Sequence, residues 1–105
     1  MAMTSAINNN DFSLVASYLK LDSNAYNEQK DYILNYCQEN QITERLKNIE
    51  IVKTTIENKY TVIEDTYETY HLLSPKKGDR DSSFNTKYTI EYTGDKWEIS
   101  KIINL

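Results

Sequence analysis

The sequence contains very little cysteine, proline, glycine or histidine: one, one, two and one residue among 105. A single thiol, Cys37, excludes an intrachain disulfide. The scarcity of proline and glycine argues against a flexible linker or a disordered tail. One cysteine and one histidine cannot form a recognisable transition-metal site, and the sequence has no glycine-rich phosphate loop. We therefore expect neither a metal nor a cofactor.

Positive charge is also in short supply. Twelve lysines and arginines face sixteen acidic residues, which gives a net charge of −4 and an isoelectric point near 4.9. Nucleic-acid binding needs a concentrated basic face, so no nucleic-acid partner is expected. The one basic cluster, Lys76, Lys77 and Arg80, is interrupted by Asp79 and Asp81. It is therefore interpreted as part of a solvated, mobile loop over residues 75–83.

The sequence has no apolar stretch long enough to cross a membrane and no signal peptide. The opening MAMTS, residues 1–5, is interpreted as an added start or a linker, and residues 6–105 as one domain. We expect any membrane attachment to lie in a segment that this chain does not include.

The first forty residues have helical patterns. Asp11 is a candidate N-cap for a helix over residues 11–21, in which Phe12, Val15 and Leu19 form an apolar stripe widened by Leu14 and Tyr18. A second helix is predicted to begin at Ser23 or Asn24 and to run to about residue 39. Its apolar face would carry Tyr26, Ile33 and Cys37.

The pattern changes to strands from Ile49 onward. Strands are predicted around residues 49–58, 60–74, 86–93 and 96–102, with a β-bulge in the second because neither of its faces alternates cleanly. Gly94-Asp95 is predicted as a hairpin turn. Trp97 and Ile99 are expected to face inward, with Trp97 as a core anchor. Helices followed by antiparallel strands indicate the α+β class.

The closing segment YTIEYTGDKWEISKI and the opening AINNNDFSLVASYL resemble those of the NTF2-like cone fold, in which helices pack on a curved antiparallel sheet of about four strands. The combination of AINNNDFSLVASYLKLDSNAYNEQKDYI, QITERL and YTVIEDTYETY is similar to the C-terminal NTF2-like domain of TcaA/YvbJ-type proteins. That resemblance implies a domain on the extracytoplasmic face of the cell membrane of a Gram-positive bacterium, in a membrane-anchored protein associated with teicoplanin and other glycopeptide responses.

The NTF2-like fold also hosts enzymes, so catalytic candidates have to be considered. Asp65, Tyr67 and His71 would share one face of a regular strand, with Glu64 and Tyr70 nearby. A carboxylate base and a tyrosine hydroxyl could serve a small SnoaL-like or isomerase-like enzyme. The acidic residues of VIEDTYE are, however, interpreted as the solvent-facing side of the strand, so no catalytic residue is predicted.

The nine tyrosines have two interpretations. Tyrosine is a good strand former that fills half-buried sheet positions, and it is also enriched at recognition surfaces because it combines an apolar body with a polar tip. The predicted binding residues are Tyr67, Tyr70, Tyr92, Asp65 and His71. The predicted partner is cell-wall glycan or peptide, or a protein of the envelope. A homodimer through the sheet, in a scaffold role, is the third hypothesis.

The positions of five side chains separate the first two hypotheses. A pocket that contains Asp65 and His71 would favour the enzyme. A cone filled by Trp97, Tyr88, Ile90 and the helices would favour the binding domain.

Overall fold

The computed structural model describes residues 2–105 as short helices followed by one antiparallel sheet. The helices are α1 (Ala2–Asn9), α2 (Ser13–Ala16) and α3 (Asn24–Asp31), and α3 continues into a π-helical segment (Tyr32–Cys37). The strands are β1 (Thr43–Asn58), β2 (Thr61–Leu73), β3 (Arg80–Tyr92) and β4 (Trp97–Asn104), in the spatial order of the chain. The predicted α+β class, with helices packed on a four-stranded meander, is confirmed.

Asp11 lies one residue before Phe12, which is the N-cap of α2 in place of the predicted Asp11, and the helix is much shorter than residues 11–21. The Asp11 Oδ1 accepts hydrogen bonds from the Ser13 amide at 3.0 Å and the Ser13 hydroxyl at 2.6 Å. The chain leaves the helix after Ala16, and Leu19 forms a parallel β-bridge with Ile99. Phe12, Val15 and Leu19 are buried, whereas Leu14 and Tyr18 are exposed and do not widen the stripe.

The second predicted helix is confirmed at both ends. The Ser23 hydroxyl accepts a hydrogen bond from the Tyr26 amide at 3.2 Å, which caps α3. The helical stretch continues through the π-helical segment to residue 39. Ile33 and Cys37 are fully buried there, and Tyr26 is half-buried against the same cluster.

The predicted bulge in the strand over residues 60–74 is wrong. The β2 and β3 strands pair without interruption from Thr61 to Leu72. The irregularities lie in β1, at Lys47, Val52 and Glu57, which have no partner in β2, and in β4, at Ser100, which has none in β3. Each extra residue resets the side-chain alternation of the strand that carries it, so the faces switch in β1 and β4 and not in β2.

The core lies between the helices and one side of the sheet, here called the inner face. Its fully buried members include Ala6 and Ile7 of α1, so part of the first helix belongs to the packed unit. The boundary placed at residue 6 by the sequence stays a prediction. Ile99 and Ile102 of β4 are half-buried against this cluster.

Trp97 is not a core anchor, contrary to the prediction. It pairs with Tyr92 at the start of β4 and is 48% exposed. The two residues share the inner face, but the helices do not cover that end of the sheet.

Gly94 and Asp95 form the predicted turn, and Gly94 has a φ of 106°. The Thr93 amide closes the turn by donating a hydrogen bond to the Lys96 carbonyl at 2.9 Å. The connection before β3 is shorter than the predicted loop 75–83, because β3 begins at Arg80.

Candidate functional site

Alternation along β2 creates a polar centre on the inner face. Thr66, Glu68, Tyr70 and Leu72 are all buried, because every second side chain of a strand points to the same side. The glutamate is 2% exposed, so one carboxylate lies under the helices rather than in solvent.

A cavity of about 390 Å³ lies above this part of the sheet. Its volume falls within the range of about 300–1,000 Å³ that is typical of small-ligand sites. The wall is mainly apolar and includes Val15, Leu19, Ile49, Leu72, Phe84 and Ile99. Its polar groups come chiefly from Glu44, Glu68, Tyr32, Tyr70 and Tyr88. The helices therefore cover only part of the inner face and leave this cavity beneath them.

Glu68 is held by three hydroxyl donors. The Thr66 hydroxyl donates to Oε2 at 2.6 Å, and the Tyr88 hydroxyl donates to the same oxygen at 2.5 Å. The Tyr70 hydroxyl donates to Oε1. Hydrogen bonds to a carboxylate are stronger than those between neutral groups, and they offset the cost of burying Glu68, which has no cationic partner among residues 2–105.

The two tyrosines are fixed as donors in this cluster. Burial, followed by the hydrogen bond to Glu68, raises the pKa of Tyr70 and of Tyr88 far above the usual phenol value. Both hydroxyls therefore keep their protons at any physiological pH, and each points its proton at the carboxylate. Each phenol oxygen retains lone pairs that can accept a hydrogen bond from a ligand.

Glu44, near the start of β1, brings a second carboxylate to the cavity. The side-chain amide of Asn8 makes two hydrogen bonds to the backbone of Glu44. Its Nδ2 donates to the Glu44 carbonyl at 2.9 Å, and its Oδ1 accepts from the Glu44 N–H at 2.7 Å. The Thr4 hydroxyl donates to Glu44 Oε1 at 3.0 Å. Burial raises the pKa of Glu44, the Thr4 hydrogen bond opposes this, and the nearby charge of Glu68 raises it further.

We predict that Glu44→Gln stabilises the domain at neutral pH. A carboxyl whose folded pKa is raised favours folding below its ordinary value of 4.5, and this contribution is lost as the pH rises through the folded pKa. Glutamine keeps the acceptor for Thr4 without the charge. The variant should therefore resist urea better than the parent at pH 7, with the difference shrinking towards pH 4. A constant difference across this range would contradict the prediction.

The three residues of the proposed catalytic set share a face, but it is the outer face, opposite the cavity. The Nδ1 of His71 lies 2.7 Å from Asp81 Oδ1, and Lys47 Nζ lies 2.9 Å from Asp81 Oδ2. Hydrogen bonds from Lys47 and then His71 lower the pKa of Asp81. Asp65 lies 4.0 Å from Lys87, and Tyr67 is exposed. Neither Asp65 nor His71 lines the cavity, so the arrangement that would favour the enzyme is not found.

The predicted binding residues are divided among three places. Tyr70 is buried in the cavity wall, while Asp65, Tyr67 and His71 lie on the outer face. Tyr92 lies at the uncovered end of the inner face, with its ring centroid 5.4 Å from that of Trp97. The structure therefore does not bring the five residues into one site, and their role in binding stays a prediction.

Sequence reasoning missed Glu68 and Glu44. The acidic residues of VIEDTYE were interpreted as solvent-facing, which is wrong for Glu68, the last of them. The signal that could have identified Glu68 is the two-residue periodicity of the strand. Buried side chains alternate with more exposed ones, and the buried ones are Thr66, Glu68, Tyr70 and Leu72. The cone is also not filled as the binding-domain hypothesis supposed, since a cavity remains and Trp97 lies away from it.

Comparison with known families decides the classification. The family model described as the TcaA protein NTF2-like domain matches residues 1–103. The chain belongs to this family. The match covers almost the whole chain and confirms the resemblance on which the sequence analysis relied. No match is found among curated proteins.

Solved structures agree with the fold of this TcaA NTF2-like domain. The intermembrane space region of the chloroplast protein ARC6 superposes with a TM-score of 0.83 at 11% identity, covering 98% of this chain and 85% of the other. An NTF-2-like protein of unknown function from Shewanella oneidensis gives a TM-score of 0.63 at 14% identity, with 98% and 89% covered. A domain with a cystatin-like fold from Nostoc punctiforme gives 0.68 at 11% identity, with 98% and 69% covered.

Two features are absent from residues 2–105. No group of three or more His, Cys, Asp or Glu residues in this range could hold a metal ion. No helix within it is long and apolar enough to span a membrane.

Cys37, the only thiol, is predicted to be unreactive in the folded domain. It is 2% exposed, and burial raises the pKa of its thiol to about 11. Because the thiolate is the reactive form, Ellman's reagent at pH 8 should label the native domain far more slowly than the urea-unfolded chain. Rapid stoichiometric labelling of the native domain would contradict this placement of Cys37.

Proposed function

We propose that this TcaA NTF2-like domain is a non-catalytic binding domain. It would be displayed on the extracytoplasmic side of a membrane-anchored cell-envelope protein and linked to the glycopeptide (teicoplanin) response. Its ligand would be envelope material, either cell-wall glycan or peptide, or a segment of an envelope protein. Family membership supports the assignment to the envelope. The ARC6 neighbour, named as an intermembrane space region, supports a place outside the cytosol.

The observation that carries the binding role is the state of Glu68 in the cavity. A general base must have a free lone pair directed at the proton it removes. Three of the roughly four lone-pair sites of Glu68 already accept hydroxyl protons, so this carboxylate is fixed as an acceptor and keeps about one lone pair, on Oε1, for a ligand donor. The acid–base pair suggested by the sequence, Asp65 and His71, is outside the cavity. A mainly apolar cavity with a few fixed polar groups suits recognition.

Titration of the ¹⁵N-labelled domain tests this proposal. Soluble peptidoglycan fragments and a glycopeptide antibiotic would be added separately, up to millimolar concentration, while amide shifts are followed. At least one should perturb the amides of residues that line the cavity. Silence with both, or shifts confined to the outer face, would overturn binding in the cavity. Turnover of a keto-steroid-like substrate that Glu68→Gln abolished would overturn the non-catalytic assignment.

A matched pair of variants ties any binding to the cavity. Ile49 lines it and is 47% exposed, so Ile49→Trp should narrow the opening without disturbing the core. Ile51 is on the same strand and faces the same side, but it is 67% exposed and outside the cavity wall. Ile49→Trp should weaken binding while Ile51→Trp leaves it unchanged.

Self-association through the sheet is the second candidate function. Ile51, Val52 and Ile56 are 65–72% exposed along β1, which is an edge strand of the described sheet. An exposed apolar edge strand is a template for pairing with another chain. Sedimentation velocity should give a dimer that Ile56→Lys dissociates, and a monomer at all concentrations would exclude this role.

A further inference from the structure

The charge of the cavity is unbalanced. Glu44 and Glu68 both line it, yet neither belongs to any of the five ion pairs found among residues 2–105. Among the described residues, no lysine, arginine or histidine lines the cavity. Buried carboxylates are normally paired with a cation or a metal, because desolvation of an unpaired charge is costly. Here, hydroxyl groups alone hold the two carboxylates.

The polar groups of the cavity wall are also mostly hydrogen-bond acceptors, with few free donors. The hydroxyls of Tyr70 and Tyr88 point their protons at Glu68, so what they offer a ligand is oxygen lone pairs. The Thr86 hydroxyl is likewise used as a donor, to Asn104 Oδ1 at 3.0 Å. The carboxylates offer only lone pairs. Apart from the side-chain amides of Gln29 and Asn104 and the hydroxyls of Tyr18 and Tyr32, the polar wall consists of acceptors.

The complementary ligand group is therefore rich in donors and positively charged. An ammonium group has three donors and no acceptor, and it matches both the charge and the lone pairs of the wall. Aromatic rings add to this attraction, since Tyr18, Tyr32 and Phe84 also line the cavity and a cation is favoured near a ring face. The apolar remainder of the wall suits an apolar body attached to the amine. An anion would meet two carboxylates.

We propose that the cavity binds an organic cation, namely a protonated amine on an apolar body, with the ammonium held by Glu68 and Glu44. This assignment rests on the proposed function and narrows its ligand class. It excludes anionic polymers as occupants of the cavity. A free amine and the lysine side chain of a peptide would be recognised by the same contacts.

Three small probes of similar shape test the charge requirement. Phenethylamine, 2-phenylethanol and phenylacetate would be titrated separately into the ¹⁵N-labelled domain at pH 7. We expect phenethylamine to bind at least tenfold more tightly than the alcohol, with shifts at cavity-lining amides, and phenylacetate to bind least. Equal affinity for the amine and the alcohol would overturn the cation assignment while leaving a binding cavity.

A tethered cation provides a second test that does not remove Glu68. Ile49 and Glu68 are directly opposite each other in the β1–β2 ladder and face the same side. Ile49→Lys therefore places an ammonium beside the carboxylate, where it should compete with phenethylamine and weaken its binding at least tenfold. Ile51→Lys adds the same charge outside the cavity and should leave binding unchanged. Ile49→Met controls for side-chain length and should retain the amine preference.

The outcomes distinguish this inference from the proposed function. If Ile49→Lys and Ile51→Lys weaken amine binding equally, the effect is only net charge and the inference fails. If none of the three probes binds, the cation assignment fails. Binding of peptidoglycan fragments or glycopeptide would in that case still support the proposed function. Loss of the amine preference in Glu68→Gln, with alcohol binding retained, would assign the recognition to this carboxylate.

Discussion

Replacing Glu68 with leucine should destabilise the domain by at least about 3 kcal/mol, because three buried or half-buried hydroxyls lose their acceptor and each unsatisfied group costs about 1–3 kcal/mol. The three donors are Thr66, Tyr70 and Tyr88. For a domain of this size each kcal/mol lowers the melting temperature by about 4–8 °C, so the loss is large enough to measure by thermal or urea unfolding.

Two control variants separate the hydrogen-bond network from the loss of a carboxylate in general. Glu64 lies on the same strand and face but accepts only from the Thr54 hydroxyl, at 2.9 and 3.0 Å. Glu64→Leu should therefore cost less than about 1 kcal/mol, as is usual for substitutions outside such networks. Glu68→Gln retains one acceptor oxygen and should fall between the two leucine variants.

A double-mutant cycle shows whether the loss of stability comes from the hydroxyls that are left without an acceptor. Tyr88→Phe removes one of the donors. It should therefore lower the free energy of unfolding less in the Glu68→Leu variant than in the parent domain. If Glu68→Leu is no less stable than Glu64→Leu, the cluster contributes nothing to folding. The cavity would then be more open to water than the burial of Glu68 indicates.

The sequence predicted the elements of this fold well where the signal was local. Ser23 and Asp11 mark helix starts because their side chains accept backbone amides close by in sequence. Gly94 permits the positive φ of the last turn. The order of helices before strands was enough to assign the α+β class.

Features that depend on distant packing could not be predicted. Trp97 lies on the expected face, but its burial depends on whether a helix covers that end of the sheet, and the helices do not reach it. The bulges in β1 are visible only once its register with β2 is known. Glu68 is acidic and was therefore assigned to solvent, because the three hydroxyls that compensate its burial come partly from another strand.

The burial of Leu19 and Leu14 also depends on distant packing, and it leads to a prediction about stability. Both were placed on the apolar stripe of one predicted helix, yet Leu19 is 2% exposed and Leu14 is 42% exposed. The difference arises because the chain leaves the helix after Ala16. The Ile99 amide then donates to the Tyr18 carbonyl at 2.9 Å, and the Lys20 amide donates to the Ile99 carbonyl at 2.7 Å. These two bonds fix Leu19 over the core.

Leu19→Ala should therefore lower the free energy of unfolding by about 2–5 kcal/mol, the usual cost of removing a buried leucine side chain. Leu14→Ala makes the same chemical change five residues away and should cost less than about 1 kcal/mol, because Leu14 is exposed and lies outside the buried core cluster. Urea denaturation of both variants at one pH gives the comparison directly. Equal losses would mean that residues 11–21 form the continuous amphipathic helix that the sequence pattern predicted, with both leucines on its buried side.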